Sequence, residues 1–465
     1  MTNDLTNQHQ ASQRMNVIAI VVIGAFLGVL NQTILATILP KVMVDFDITS
    51  STAQWLTTVF MLVNGIMIPI SAFLIEKYTM RKLFFAAVGF LIFGSLLCLL
   101  GFNFEMVLLG RAIQAMGAGI LMPLTQTILF ILFPPEKRGM AMGMFGLVIG
   151  FAPAIGPTLA GWFVNIFDWR QLFTIVLIIA VIDFIYGYMS LSNMTTQSYP
   201  KLDMLSVVLS TVGFGALLYG FSSVGNLGWS HPAIYLTLIV AVISICIFVL
   251  RQFKLESPLL EFRVFKYQQF SVSMVIVSLM FMLFIGNLTI LPIFMQTMMH
   301  WTPLESGLIL LPGGLVMGLL SPVTGQLYDK VGGRWLSFIG MLIITAGALC
   351  LAQISSDSSR LYVVIAFSIT MLGNAMIMTP MTTQALNALP RTFIAHGTAM
   401  NNTVRQLSAA IGTGLLVTLM TTLGAKSPVG GVQGAIQGLD MTFYVIAIIA
   451  LIGSLLALLI KPNNN

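Results

Sequence analysis

The sequence predicts an all-α integral membrane protein with 14 transmembrane helices, built as two pseudo-symmetric six-helix bundles (spans 1–6 and 9–14) plus two inserted helices (7 and 8). Three observations predict it: the scarcity of charge, the length and spacing of the apolar runs, and one loop pattern that occurs twice. Of 465 residues, 57% are hydrophobic and only 8% charged, where a soluble chain carries about a quarter charged. The mean hydropathy is +0.96. Such a composition excludes a disordered chain, a coiled coil and an ordinary soluble enzyme. The net charge of +6 comes from bases that sit singly or in short clusters between apolar runs, a pattern of membrane topology and not of nucleic-acid binding. Cys98, Cys246 and Cys350 fall inside apolar runs and imply no disulfide framework. No cluster has metal-ligand spacing and no phosphate-cradling Gly-x-x-x-x-Gly-Lys-Ser/Thr loop is present, so neither a metal, a cofactor nor ATP hydrolysis is expected.

A helix needs about 20 mostly apolar residues to cross the hydrocarbon core. Residues 1–16 are polar and read as a tail; the apolar run after them has no small-residue cleavage site, so 17–39 is read as a first span and not a removed signal peptide. Spans 2 to 6 follow at 53–75, 83–101, 106–132, 139–164 and 171–191. Two more lie at 204–224 and 233–250. The last six lie at 270–296, 306–327, 336–353, 360–383, 398–424 and 441–460. These runs are too long and continuous for barrel strands. With the N-terminus inside, 15 of the 21 bases fall in inner segments, four (Lys41, Arg170, Arg360, Lys426) in outer ones, and Arg111 and Arg405 within spans. That bias predicts both termini in the cytoplasm. The expected organisation is a cytoplasmic tail (1–16), a bundle (17–191), two inserted helices (192–250), a cytoplasmic interfacial linker (251–269), a second bundle (270–460) and a short tail (461–465).

The repeat defines the architecture. After span 2 the chain reads Ala72-Phe-Leu-Ile-Glu76-Lys77-Tyr-Thr79-Met-Arg81, and after span 10 it reads Gly325-Gln-Leu-Tyr-Asp329-Lys330-Val-Gly332-Gly-Arg334. Each joins the second and third helix of a six-helix set. An acid near a helix end can pair with a base across the loop and with a neighbouring helix terminus in one conformation only, which makes Glu76, Arg81, Asp329, Lys330 and Arg334 candidate gating residues.

Further motifs are Arg111-Ala-Ile-Gln114-Ala-Met-Gly117-Ala-Gly119 in span 4, and Gly146, Gly150, Pro153, Gly156-Pro157, Ala160 and Gly161-Trp162 in span 5, followed by Trp169-Arg170. Span 12 holds Pro380-Met-Thr-Thr-Gln384 and span 13 holds Asn402-Thr-Val-Arg405-Gln406. On these residues and the repeated loop, the chain resembles the major facilitator superfamily, and within it the fourteen-helix drug:proton antiporter family (the EmrB/QacA type). The resemblance covers essentially the whole chain. It implies exchange and not uptake, with span 5 as the antiporter signature.

Each candidate also has a physical reading. In span 5, small residues at four-residue spacing admit a close partner helix and two prolines bend the helix, so Gly156 and Pro157 are placed at a pivot. Arg111, about six residues inside the outer end of span 4, either snorkels outward or faces the bundle interior with Gln114 one turn along. The family places an acid in span 1; here the positions are Asn31 and Gln32, which can bond Arg111 or a substrate but carry no proton. Asp183, read as the one acid deep within a span, is the compensating candidate for proton coupling with Arg111, or for recognition of a cation. A neutral Asp bonded to a helix carbonyl is its structural alternative. Arg405, roughly seven residues inside span 13 on one face with Asn401 and Asn402, holds an inner gate or touches substrate. Asn374 and Gln384 are weaker candidates for substrate contact.

The function these readings predict is proton-coupled export of amphipathic small molecules by alternating access, in a bacterial plasma membrane, with drugs, protons and lipids as partners and a monomer as the working unit. Two alternatives stand beside it: a narrow-cargo exporter of a metabolite, lipid or peptide, and a membrane sensor that keeps the fold without flux.

Overall fold

The computed structural model describes residues 2–164, 166–191, 193, 197–198, 200–355, 358–428 and 430–461, without side chains for residues 2–14, 36–37 and 225–227. Among these there are fifteen α-helices and no strand: α1 (Thr2–Thr33), α2 (Leu35–Phe46), α3 (Ser50–Lys77), α4 (Met80–Leu99), α5 (Phe104–Leu132), α6 (Arg138–Phe163), α7 (Leu172–Ser190), α8 (Met204–Leu227), α9 (Pro232–Lys254), α10 (Gln268–Ile293), α11 (Pro303–Val331), α12 (Gly333–Leu351), α13 (Arg360–Asn387), α14 (Ile394–Ala425) and α15 (Gly431–Ala457). Fourteen are long and apolar enough to cross a membrane; α2 continues the first crossing.

The first span is broken, not continuous. Arg111 Nη1 takes the Asn31 carbonyl oxygen at 3.0 Å, the group that would otherwise accept from the Leu35 N–H. Thr33 Oγ1 donates back into its own turn at Leu30 O, 3.0 Å, a bond that bends helices. The N-terminal segment read as a tail is helical from Thr2 onward, while residues 462–465 of the other tail lie outside the described residues.

Helices α1–α7 and α10–α15 form two sets with matching internal packing: α4 lies on α5 and α7 as α12 lies on α13 and α15. The repeated loops lie on one face of the molecule, here the motif face. The sets meet most extensively along α6 and α11, which run antiparallel through the whole thickness. Their contact is built from small residues. A Cβ on Gly139 would fall 2.2 Å from Gly325 O, and one on Gly150 2.7 Å from Gly318 N. Only glycine admits backbones this close. The inserted helix α8 bridges the two sets: Tyr219 stacks on Trp55 of α3 at 5.9 Å, and Trp229, just beyond α8, donates to Thr418 Oγ1 of α14 at 2.9 Å.

Asp203 ties α8 to α9. It caps α8 by accepting from Ser206 N at 3.0 Å and takes a two-point bond from Arg251 at 2.7 and 2.8 Å. Arg251 first, then Ser206, holds this carboxyl well below the usual carboxylate range. Its contribution is therefore present above the unfolded carboxylate value and lost as pH falls through the lower folded one. Asp203→Asn should speed hydrogen exchange in the first turn of α8 about fivefold at neutral pH, equivalent to ~1 kcal/mol, with little difference from wild type at strongly acidic pH.

One boundary needs correction. The last span begins at Gly431, ten residues before the expected 441. The stretch from Gly431 to Asp440 is glycine-rich and polar, so hydropathy hides it. Close packing keeps it helical: a Cβ on Gly438 would fall 2.3 Å from Met420 O and 2.5 Å from Gly424 N of α14. Asp183 is thus not the one acid deep in a span, since Asp440 lies nine residues into α15 with a buried, unbonded Oδ1.

Candidate functional site

Four groups of polar side chains are placed inside this apolar bundle. The first closes the motif face. Asp329, at the end of α11, accepts hydrogen bonds from the Gly139 N–H at 2.8 Å and the Met140 N–H at 3.0 Å. These are first-turn donors of α6 with no partner in their own helix. Glu76, the acid of the other repeat, meets His396 Nε2 at 3.0 Å in the first turn of α14. Each acid thus ends the second helix of its own set and binds the start of the fifth helix of the opposite set. Arg138 Nη1 adds a third crossing to Asn387 Oδ1 at 2.9 Å while lying over the Phe130 ring at 4.1 Å.

The expected pairing of acid with base inside each loop is not made. Arg81 Nη2 donates to the Tyr188 carbonyl of α7 at 3.0 Å, and Arg334 lies over Trp335. Lys330 has no acid partner among the described residues. The turn geometry directs the bases along their own set, because the acids are already engaged across the seam. Gln384 accepts from Tyr328 Oη at 2.9 Å, three residues from the motif-face end of α13. His396 went unread in the sequence, although Arg138-Gly-Met-Ala-Met and His396-Gly-Thr-Ala-Met repeat one another.

The second group surrounds Arg111, which is fully buried and does not snorkel. Its Nη1 donates to Asn31 O at 3.0 Å, Asn31 Oδ1 at 3.2 Å and Gln114 Oε1 at 2.9 Å. Nε reaches Leu56 O at 3.5 Å, and the Phe60 ring covers the guanidinium at 4.3 Å. Gln114 is held in turn by donating to Ser95 Oγ at 2.8 Å. Neutral dipoles, not a carboxylate, hold this cation. Gln32, next to Asn31 in sequence, is half-buried. Beyond the break in the first span, a Cβ on Gly156 would fall 2.3 Å from Thr33 Oγ1, so α6 and α1 touch beside Pro157.

Asp183, the third, is 2% exposed, and neither carboxyl oxygen has a hydrogen-bond partner among the described residues. It is not joined to Arg111. Its helix packs chiefly on α4 and α1, and Oδ2 lies 3.4 Å from where a Gly24 Cβ would stand. The reason is register on α1: Gly24 and Asn31 are seven residues, about 10 Å, apart along the helix. A carboxyl in such surroundings couples its charge to the packing of α1, since a buried unpaired charge is expensive.

The fourth group is on the seam between the sets. Arg405 lies eleven residues into α14, deeper than the expected seven, because that helix starts earlier than hydropathy suggests. Its guanidinium sits over Phe281 at 4.1 Å and near Phe145 at 5.9 Å. Next to it, Asn402 donates to Gln126 Oε1 of α5 at 2.6 Å. Asn374 bonds back to Thr370 O of its own helix at 2.9 Å and keeps a buried, unbonded Oδ1.

The arrangement joins the two helical sets across the motif face and leaves the Asp183 carboxyl without a hydrogen bond among the described residues in an apolar flank. The sequence pattern of the Major Facilitator Superfamily matches residues 21–413. An uncharacterized MFS-type transporter, YcnB, of Bacillus subtilis (strain 168) is 49% identical over 449 residues, covering 96% of this chain and 95% of the relative. The lincomycin resistance protein LmrB of Listeria monocytogenes is 38% identical over 454 residues, covering 96% of each. The crystal structure of the human organic anion transporter MFSD10 (TETRAN) shares the fold, with a TM-score of 0.69 at 13% identity over 96% of this chain and 99% of that one.

Proposed function

The chain belongs to the Major Facilitator Superfamily of membrane transporters, and from that premise we propose that it exports amphipathic small molecules in exchange for protons. The observation that carries this reading is the reciprocal closure of the motif face by Asp329 and Glu76. Two equivalent locks between two equivalent sets can be released together, which is what rocking about a midplane site requires. The kinship to a lincomycin resistance protein supports drugs as cargo. The basic residues that crowd the motif face support a cytoplasmic side for it and for both termini, and the bacterial relatives support a bacterial plasma membrane. The chain works as a monomer in lipid.

Asp183 is the coupling group in this proposal, and it acts through α1. Protonation on the flank of α7 alters the seat of α1 at Gly24, and two turns along α1, Asn31 holds Arg111. Arg111, Asn31, Gln32 and Asn374 serve the substrate side of the cycle, with Gln114 holding Arg111 in position. The gradient supplies about 2.3 kcal/mol per proton at 100 mV and about 1.4 kcal/mol for each pH unit.

The test is substrate-triggered proton release from proteoliposomes with an acidic lumen, using a panel of amphipathic cations, neutral antibiotics and amphipathic acids. Wild type should release protons with at least one class, and Asp183→Asn should lower that release at least tenfold. Release undiminished in Asp183→Asn would move the coupling site elsewhere. Silence of wild type with every compound would favour the narrow-cargo or sensor reading.

A further inference from the structure

Arg405 differs from Arg111 in one respect that bears on cargo. Arg111 donates to Asn31, Gln114 and Leu56 although its Nη2 is left buried and unbonded, whereas Arg405 has no hydrogen bond or ion pair at all among the described residues. It is 4% exposed, its Nη1 is buried and unbonded, and it lies against the rings of Phe281 and Phe145. Beside it lies a pocket lined by Met142, Phe145 and Gly146 of α6 and by Met378, Thr379 and Thr382 of α13. Thr379 Oγ1 is likewise buried and unbonded. The two helices belong to opposite sets, and the walls close tightly enough that no water-sized space remains.

We infer that this pocket is the subsite for the anionic group of an amphipathic substrate, with Arg405 and Thr379 as its recognition pair. An unpaired guanidinium away from water repels a cation and rewards an anion. A carboxylate seated there would take charge-assisted bonds from Arg405 and a hydroxyl bond from Thr379, the strong kind of hydrogen bond. Phe281 at 4.1 Å and Phe145 at 5.9 Å flank the guanidinium without bonding its N–H groups, which remain to be bonded. Met142, Met378 and Phe145 offer the apolar wall that the body of an amphiphile needs, and methionine repacks readily around different shapes. No carboxylate lines the pocket, and Asp183 lies on the far flank of the first set. Because α6 and α13 contribute opposite walls, separating the sets would open the subsite, and closing them would expel its occupant.

This inference rests on the export reading for its direction but can fail separately from it. Binding would be measured on full-length protein in lipid nanodiscs with three probes that share one body: 6-phenylhexanoate, 6-phenylhexyltrimethylammonium and 6-phenylhexanol. The expected order is anion tightest, by about 10-fold over the cation. Arg405→Gln should weaken the anion by about 10–100-fold and leave the alcohol unchanged; Thr379→Val should weaken it less, and Arg405→Lys should restore part of the loss. Retained alcohol binding in Arg405→Gln also shows that the variant is folded; should it not fold, Thr379→Val and Arg405→Lys carry the test. A preference for the cation, or anion binding indifferent to both residues, would overturn the subsite. Arg405-dependent anion binding without any proton release in liposomes would keep the subsite and overturn export.

Discussion

Asp329→Asn should shift the closed-to-open equilibrium of the motif face about thirtyfold toward open and slow exchange at least tenfold. The carboxylate accepts from two adjacent N–H groups at the start of α6, where the helix end also carries partial positive charge. Hydrogen bonds to a charged group contribute about 1.5–3 kcal/mol each. Asparagine keeps one acceptor, loses the charge and turns an amide donor toward donors, so a net loss of ~2 kcal/mol is a moderate expectation. The readout is maleimide labelling of a cysteine placed at Thr382, buried in the seam, in a background without the three native cysteines. Glu76→Gln should act in the same direction but more weakly, because the Glu76 side chain is 25% exposed and its partner is a histidine, not a pair of backbone donors. Equal and negligible effects of the two substitutions would remove the locks from the mechanism.

Gly150→Leu should abolish transport, with at least a hundredfold fall in exchange rate, while the protein still inserts into the membrane. The atoms a Cβ would meet are Gly318 N at 2.7 Å and Gly318 Cα at 2.8 Å. Both are backbone in the middle of a helix, so neither can swing aside, and overpacking a tight core costs about 1–3 kcal/mol even where side chains can give. The conformer in which α6 and α11 touch along their length would be lost, and with it one end of the cycle. Gly89→Leu on α4 is the matched control: a Cβ there meets nothing within 4 Å, and exchange should stay within twofold of wild type. Transport preserved in Gly150→Leu would show that the close seam is not visited during turnover.

The spans were legible because hydrocarbon thickness sets a length that apolar runs must meet, and the twofold plan was legible because Glu76 and Asp329 sit in matching patterns. Side-chain direction was not. The sequence placed Asp183 and Arg111 at workable depths, but only the packing of α7 on α1 and α4 shows that they face different neighbours. Gln384 lay in a stretch suggestive of substrate contact, and its bond to Tyr328 near the motif face is a contact that spacing does not encode. Asp440 was missed because Gly431, Gly434 and Gly438 depress hydropathy, while Gly434 and Gly438 enable the contact with α14 that keeps the segment helical. Arg405 was recognised as a buried cation, yet its lack of an acceptor among the described residues is a three-dimensional fact that no spacing encodes.

Rocking between two closed ends is tested most directly by paired spin-label distances in nanodiscs. One pair would sit on the motif face, at Lys137 and Thr392, and the other on the opposite face, at Phe102 and Lys426, all four positions being exposed. Distances would be recorded with and without a transported compound, at neutral and acidic pH. Reciprocal change is the expected result, with the motif-face pair lengthening as the opposite pair shortens, and Asp329→Asn favouring the long motif-face distance. Single distances that stay fixed on both faces under conditions that support transport would contradict rocking of the two helical sets.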